Sequence, residues 1–208
     1  MTDSIPVSLE LGAVRAQKKL LREQILARRD ALAPVVRSAA SREMTQRLLA
    51  EPGYIKASAV LAYMGFGTEV DTAAFVTQVL HDGKLLALPR IHKPSQTLRL
   101  HRVNRLDELM SGVWGIREPH GEAPAASLDE IDFVLMPGVA FDGRGARLGY
   151  GAGYYDRLLA GSPRRAQRVA AAFDVQIVDA VPADAHDQRL DIIISEDRII
   201  HAADSPSP

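Results

Sequence analysis

Gly143 to Arg157 reads GRGARLGYGAGYYDR, and its residue types suit chemistry on a phosphate. Gly149, Gly151 and Gly153 alternate. Glycine adopts backbone angles closed to other residues and lets a ligand approach the chain closely. Several backbone N–H groups can then converge on phosphate oxygens beside a helix start. Arg144, Arg147 and Arg157 flank the run and could neutralise the charge, and arginine suits two-pronged phosphate contacts. Taken alone, the segment also fits a flexible turn with incidental arginines. A Walker A loop is excluded, because no Gly-Lys-Ser/Thr closes it. A dinucleotide fingerprint starting at Gly149 would need its third glycine where Tyr154 stands. Asp174 follows at about the 20-residue spacing of that fingerprint's acidic residue, so the dinucleotide reading is weakened rather than removed.

Other chemistries lack their residues. There is no cysteine, so disulfides, thiolate metal sites and cysteine nucleophiles are out. The six histidines form no i, i+4 pair and no H-E-x-x-H, and no G-x-S-x-G elbow occurs. A net charge of −1 and a pI near 6.6 argue against a nucleic-acid binder. Met1 to Gly12 shows neither a long apolar run nor an early basic cluster, so no signal peptide is expected. No run approaches ~18 apolar residues, so no membrane span is expected either. The absence of cysteine fits a reducing cytoplasm, where the protein is expected to work.

The elements that must position the loop follow from periodicity. Ser8 to about Asp30 reads as a helix, with Val14, Leu21 and Ile25 on one face and Lys18 at the intermediate turn. Pro34 suits the start of a second helix, ending by Pro52-Gly53. Ala59 to Met64 and Lys84 to Leu88 read as buried strands, the second stopped by Pro89. Between them a helix capped by Asp71 or Thr72 runs to His81. That is a β-α-β unit, hence a parallel pair. Thr97 to Val103 alternates as a half-exposed strand. Trp114 to Ala126 reads as an irregular loop. Ile131 to Met136, Arg168 to Phe173 and Asp191 to Ser195 are further strands, and Arg198 to His201 an edge strand. The expected fold is α/β: a mostly parallel central sheet, helices on both faces, and an N-terminal helical pair. One domain is expected over residues 1–202, with a disordered tail at 203–208. Ligands of such sheets bind beyond the carboxyl ends of the strands, here the loops after Met64, Leu88, Met136, Phe173 and Ser195.

RLGYGAGYYDR, at Arg147 to Arg157, resembles the signature of the 5-formyltetrahydrofolate cyclo-ligase family, also called methenyltetrahydrofolate synthetases. The likeness spans most of the chain. KKLLR (Lys18 to Arg22) looks like that family's first ATP motif, and YMGFGTEVDT (Tyr63 to Thr72) like its folate segment. LPRI (Leu88 to Ile91), WGIREP (Trp114 to Pro119), DFVLMPGVAFD (Asp132 to Asp142) and RLDIII (Arg189 to Ile194) follow in order. Ala152 departs from it, because many relatives carry glycine or lysine there. The stretch before Arg15 matches none of its motifs.

The resemblance implies a Rossmann-like fold of the NagB/RpiA/CoA-transferase type and a monomer acting on a small molecule. It implies ATP-dependent closure of 5-formyltetrahydrofolate, with or without a polyglutamate tail, to 5,10-methenyltetrahydrofolate. It assigns Lys18, Lys19, Leu20, Leu21, Arg22, Arg147, Leu148, Gly149, Tyr150, Gly151, Ala152, Gly153, Tyr154 and Tyr155 to ATP. Met64, Glu69, Arg90 and Trp114 go to the folate, with Tyr150, Gly151, Ala152, Gly153 and Tyr154 shared. Lys18, Arg147 and Tyr154 are the expected catalytic residues, and Asp156 and Asp191 the expected magnesium ligands. Lys18 and Arg22 lie four apart on one helix face; without the resemblance a solvated basic face explains them as well. Two other classes remain open at this point: a non-catalytic folate or nucleotide binder, and a sugar-phosphate isomerase or acyl-transfer enzyme on a related scaffold.

Overall fold

Helix α1 (Val7–Asp30) presents the stripe that its spacing predicts. Ile25 is fully buried, and Lys18 sits on the same side with its side chain 15% exposed. The structure, a computed structural model, describes residues 7–160, 166–184 and 186–202; the expected tail at 203–208 lies outside them. Helix α2 (Pro34–Ala50) starts on its proline and buries Ala40, Met44 and Leu48. It ends at Ala50, by Pro52-Gly53 as expected. Glu51 leaves helical geometry, and Pro52 begins a separate short helix, α3 (Pro52–Lys56). Proline lacks the N–H that a continuing helix needs but suits a first turn.

Strand β1 (Ala59–Leu61), helix α4 (Ala73–His81) and strand β2 (Leu85–His92) form the expected parallel unit, with Ala59 opposite Leu85. Strand β3 (Thr97–Arg102) returns antiparallel to β2. The short strands β4 (Met110–Ser111) and β5 (Arg117–Glu118) make a hairpin within the region read as irregular. Strands β6 (Phe133–Leu135), β7 (Ala140–Asp142) and β8 (Arg147–Leu148) follow, then helix α5 (Tyr154–Leu159). Strands β9 (Gln167–Ala171), β10 (Ile177–Val178), β11 (Ile192–Ile194) and β12 (Ile199–His201) complete the described chain.

The main sheet runs β12-β11-β9-β6-β1-β2-β3. Its outer pairs, β11–β12 and β2–β3, are antiparallel and its inner pairs parallel. Side chains alternate across it. Val60, Phe133 and Leu135 enter the core under α2, α3 and α4, while Leu61, Val134 and Ala170 enter the core under α5. Tyr54, Phe75 and Phe133 pack ring to ring at 5.3 to 6.3 Å. A second small sheet, β10-β7-β8, together with α1 encloses Ile25, Val139, Ala140 and Leu148. Among the described residues no helix is long and apolar enough to cross a membrane.

Pro89 does not stop β2. Strand β1 ends opposite Ala87, so from Leu88 onward β2 has only β3 as a neighbour. A strand with one open edge tolerates a residue without an N–H.

Candidate active site

A cavity of about 580 Å³ opens beyond the carboxyl ends of β1 and β6 and against the Leu88, Pro89 and Ile91 part of β2, a size usual for small-molecule sites. Its walls are largely apolar: Met64, Phe66, Leu88, Pro89, Ile91, Leu98, Trp114, Ile116 and Pro137. Glycine-loop residues Gly149, Tyr150, Ala152, Gly153, Tyr154 and Tyr155 close one side. Two of the five expected site loops, after Met64 and Met136, meet here, and where a loop after Leu88 was expected the wall is strand β2 itself. Those after Phe173 and Ser195 do not line it; Ser195 bonds Asp174 and Arg198 instead.

The glycine loop hangs from the β7–β8 hairpin. Asp142, wholly buried, accepts N–H bonds from Val181 (2.9 Å), Arg144 (2.9 Å) and Ala146 (3.1 Å). Burial alone would raise its carboxyl pKa; these donors reverse that and hold it below the usual range. Arg144 closes on the same carboxylate at 3.1 Å, and Arg157 on the carbonyl of Gln96 at 2.6 Å. Of the three arginines in the motif, only Arg147 lines the cavity. It is 6% exposed, and its Nη2 donates to Asp156 at 2.7 Å. Its Nε and the Tyr155 hydroxyl are buried polar atoms without a hydrogen-bond partner. Unpaired buried donors cost about 1–3 kcal/mol each, so a ligand acceptor there would recover energy. Gly151 (φ 100°) and Gly153 (φ 63°) take left-handed angles that confine these positions to glycine.

Helix α1 brings one cation, Arg22, to this loop and a second, Lys18, to the segment of Asp184 and Asp187. Arg22 Nε donates to the carbonyl of Gly149 at 2.9 Å, and a Cβ on Gly151 would lie 3.5 Å from its guanidinium. Lys18 binds Asp184 at 2.9 Å and Asp187 at 2.6 Å. Burial lowers the Lys18 pKa, but the two carboxylates more than offset this and raise it. The rest of the basic motif diverges. Lys19 points outward toward Glu23, Leu20 is 58% exposed, and Leu21 packs on the small core. Leu148 is also core.

Glu69 is a partly buried carboxylate of the wall beside Tyr63 and Met64, which also carries Asp156 and the buried Glu118. Burial raises its pKa; a Tyr150 hydroxyl at 2.5 Å, the Phe66 N–H and the charge of Arg29 work against that rise. Its loop is fixed from beneath. Thr72 does not cap α4 with its hydroxyl, which instead donates to the Tyr63 carbonyl at 2.6 Å and accepts from Gly65 N–H at 3.0 Å. Trp114 stands at the mouth, 68% exposed, with a left-handed backbone (φ 56°). Arg90 is not in the wall; it donates to the carbonyl of Pro119. Arg117, which the sequence reading passed over inside WGIREP, is.

The two expected magnesium ligands do not meet at the cavity. Asp156 lines it, with Oδ1 accepting from Arg147 and from Gln188 N–H. Asp191 precedes β11 at the amino end of the sheet, and its Oδ2 accepts from Arg168 N–H at 2.8 Å. Among the described residues no group of three or more His, Asp or Glu could hold a metal. These residues therefore do not fit a resident magnesium, though one carboxylate can assist an ion carried by nucleotide phosphates.

A model of the 5-formyltetrahydrofolate cyclo-ligase family matches residues 14–196. The chain belongs to that family. It is 30% identical over 195 residues to the mouse 5-formyltetrahydrofolate cyclo-ligase, covering 88% of this chain and 96% of the relative. The Escherichia coli K12 cyclo-ligase is 30% identical over 175 residues, covering 83% and 96%. In fold, the chain resembles the Aquifex aeolicus 5,10-methenyltetrahydrofolate synthetase, with a TM-score of 0.79, 33% identity, and 92% and 95% coverage. The cyclo-ligase match begins at Val14, within α1, and takes in the glycine loop, the Glu69 loop and β11.

Proposed function

We propose that this protein is an ATP-dependent ligase that closes 5-formyltetrahydrofolate to 5,10-methenyltetrahydrofolate, releasing ADP and phosphate. One observation carries the reading beyond family membership. An apolar cavity carries the partly buried carboxylate of Glu69 on one of its loops and unpartnered Arg147 Nε and Tyr155 hydroxyl donors among its lining residues, and the glycine loop forms part of its wall. A flat heteroaromatic ring with N–H donors suits that cavity: the rings bury against apolar residues, and the carboxylate accepts from the N–H groups.

The formyl oxygen is a poor leaving group. Transfer of the γ-phosphoryl group onto it makes a good one. The nitrogen at position 10 then attacks the formyl carbon, loses its proton, and phosphate departs as the ring closes. This chemistry needs positioning and charge stabilisation rather than a protein nucleophile, which agrees with a chain without cysteine. In this proposal Arg147 and Tyr154 face the reacting group from the cavity wall. Lys18 and Arg22 meet the nucleotide phosphates from α1, with Lys18 exchanging Asp184 and Asp187 for them. Glu69, Met64 and Trp114 hold the pterin. Arg117, which lines the cavity where Arg90 does not, meets the carboxylates of the folate tail. Magnesium enters with the nucleotide. The proposal includes a single domain over residues 1–202, acting as a monomer in the cytoplasm.

The test is absorbance at the methenyl-folate band after mixing protein, 5-formyltetrahydrofolate, ATP and magnesium. A gain that disappears without ATP supports the ligase. No gain at high enzyme concentration rejects it.

A further inference from the structure

Arg29 is a buried cation that does not line the cavity. It sits in the last turn of α1, 5% exposed. Its Nε donates to Thr68 Oγ1 at 3.0 Å, and its Nη1 donates to the Tyr150 hydroxyl at 2.8 Å. The guanidinium carbon stands 5.9 Å from the centre of the Tyr150 ring. The Tyr150 hydroxyl donates to Glu69 Oε1 at 2.5 Å, and Phe66 N–H donates to Oε2 at 3.2 Å. Thr68 in turn donates to Asp30, whose carboxylate is 4.0 Å from Arg29 Nε. One guanidinium thus grips both the loop carrying Glu69 and the hydroxyl that touches its carboxylate.

The geometry has a chemical consequence. A carboxylate partly withdrawn from water must be kept ionised and aimed if it is to accept hydrogen bonds from a ligand. Two donors on fixed directions do that, and only arginine presents its donors in a rigid planar fork. The other groups facing Glu69 are hydroxyls: Tyr63 after β1, Tyr150 in the glycine loop and Tyr155 on α5. Arg29 is the nearby positive charge among them. Tyr150 also belongs to the glycine loop, so the same contact joins that loop to the pterin end of the cavity.

We propose that Arg29 is a positioning residue for substrate recognition, holding Glu69 in its binding geometry through Tyr150 and Thr68 without touching the substrate. This rests on the assignment of Glu69 to the folate.

The experiment compares wild type, Arg29→Met, Arg29→Lys, Tyr150→Phe, Glu69→Gln and the Arg29→Met/Glu69→Gln double variant. Turnover is followed at the methenyl band with each substrate varied in turn, and folate binding without ATP is measured by calorimetry. Arg29→Met is expected to raise the folate KM and Kd at least tenfold while the ATP KM stays within twofold. The acid limb of kcat/KM for folate should move to higher pH, because one of the influences that favour the charged carboxylate is lost while burial still opposes it. Arg29→Lys keeps the charge, so its limb should return to the wild-type position with only partial recovery of KM. The double variant should be no worse than Glu69→Gln alone. Equal losses for ATP and folate with an unmoved limb, or additive losses in the double variant, would overturn the proposal. If Arg29→Met does not fold, Tyr150→Phe decides: a raised folate Kd supports the relay and a wild-type Kd refutes it. A wild type that binds the folate without turnover would sink the ligase reading alone, with the Kd values still testing Arg29. No folate binding would sink both.

Discussion

On the α1 side of the glycine loop the cations already have protein partners. Lys18 holds Asp184 and Asp187, and Arg22 holds the carbonyl of Gly149. On the cavity side two buried donors, Arg147 Nε and the Tyr155 hydroxyl, have none. The difference separates two kinds of site. The cavity side is preorganised, with donors fixed by the fold and waiting for acceptors. The α1 side must exchange partners: a triphosphate reaches Lys18 only by displacing two carboxylates. These pairs are largely shielded, with Lys18 15% and Asp187 21% exposed, so the incoming phosphates must replace both charge-assisted contacts to compensate for losing them. A nucleotide can therefore bind by competition, while a pterin binds by filling a space.

Glu69→Gln attacks the preorganised side and should have the largest effect. A hydrogen bond to a charged group is worth about 1.5–3 kcal/mol, so kcat/KM for the folate should fall about 10- to 100-fold with the ATP KM nearly unchanged. The pH profile sharpens this. Because burial raises the Glu69 pKa, the carboxylate takes up its proton at a higher pH than an exposed glutamate would. Folate affinity should fall as pH drops through that raised value, and Glu69→Gln should flatten the limb. A loss confined to ATP would break the division of labour.

Lys18→Ala attacks the exchanging side. It should raise the ATP KM about tenfold, since one charge-assisted phosphate contact is lost, and leave the folate KM within twofold. Steady-state kinetics with each substrate varied separate the two. Tyr155→Phe should raise the folate KM about three- to tenfold, as one hydrogen bond would. Its thermal midpoint should not fall, because the hydroxyl has no protein partner to lose. A clear drop in stability would show that the hydroxyl has a structural role. Lys19→Ala should do nothing measurable, within about 0.5 kcal/mol in either readout, since Lys19 points away from the loop. An ATP defect equal to that of Lys18→Ala would show that the basic motif acts as a unit.

Much of this was legible in the sequence. The β-α-β unit, the order of core strands and the glycine run were marked by hydrophobic periodicity and by the positions of Gly and Pro. The four-residue spacing of Lys18 and Arg22 put both on one helix face, and of the two it is Arg22 that bonds the glycine loop. What sequence could not give came from chain reversals. The β7–β8 hairpin and β10 are two- and three-residue strands, too short to show a period. Pro89 read as a stop because the early end of β1 is not written in the sequence of β2. Asp191 read as a ligand beside Asp156, yet its strand begins at the opposite end of the sheet. Arg29 gave no signal at all. It looks like one more charge at a helix end, a position favourable to cations on electrostatic grounds alone, and only the fold brings Tyr150 and Thr68 to it.

The central claim is that one glycine loop serves two ligands from two sides. A structure determined with nucleotide and 5-formyltetrahydrofolate bound together tests it most directly. The account predicts the pterin in the apolar cavity against Glu69, phosphates on the backbone of Gly149 to Gly153, and Lys18 released from Asp184 and Asp187. Phosphates lodged in the apolar cavity, or a glycine loop turned away from the nucleotide with Lys18 still on its carboxylates, would contradict it.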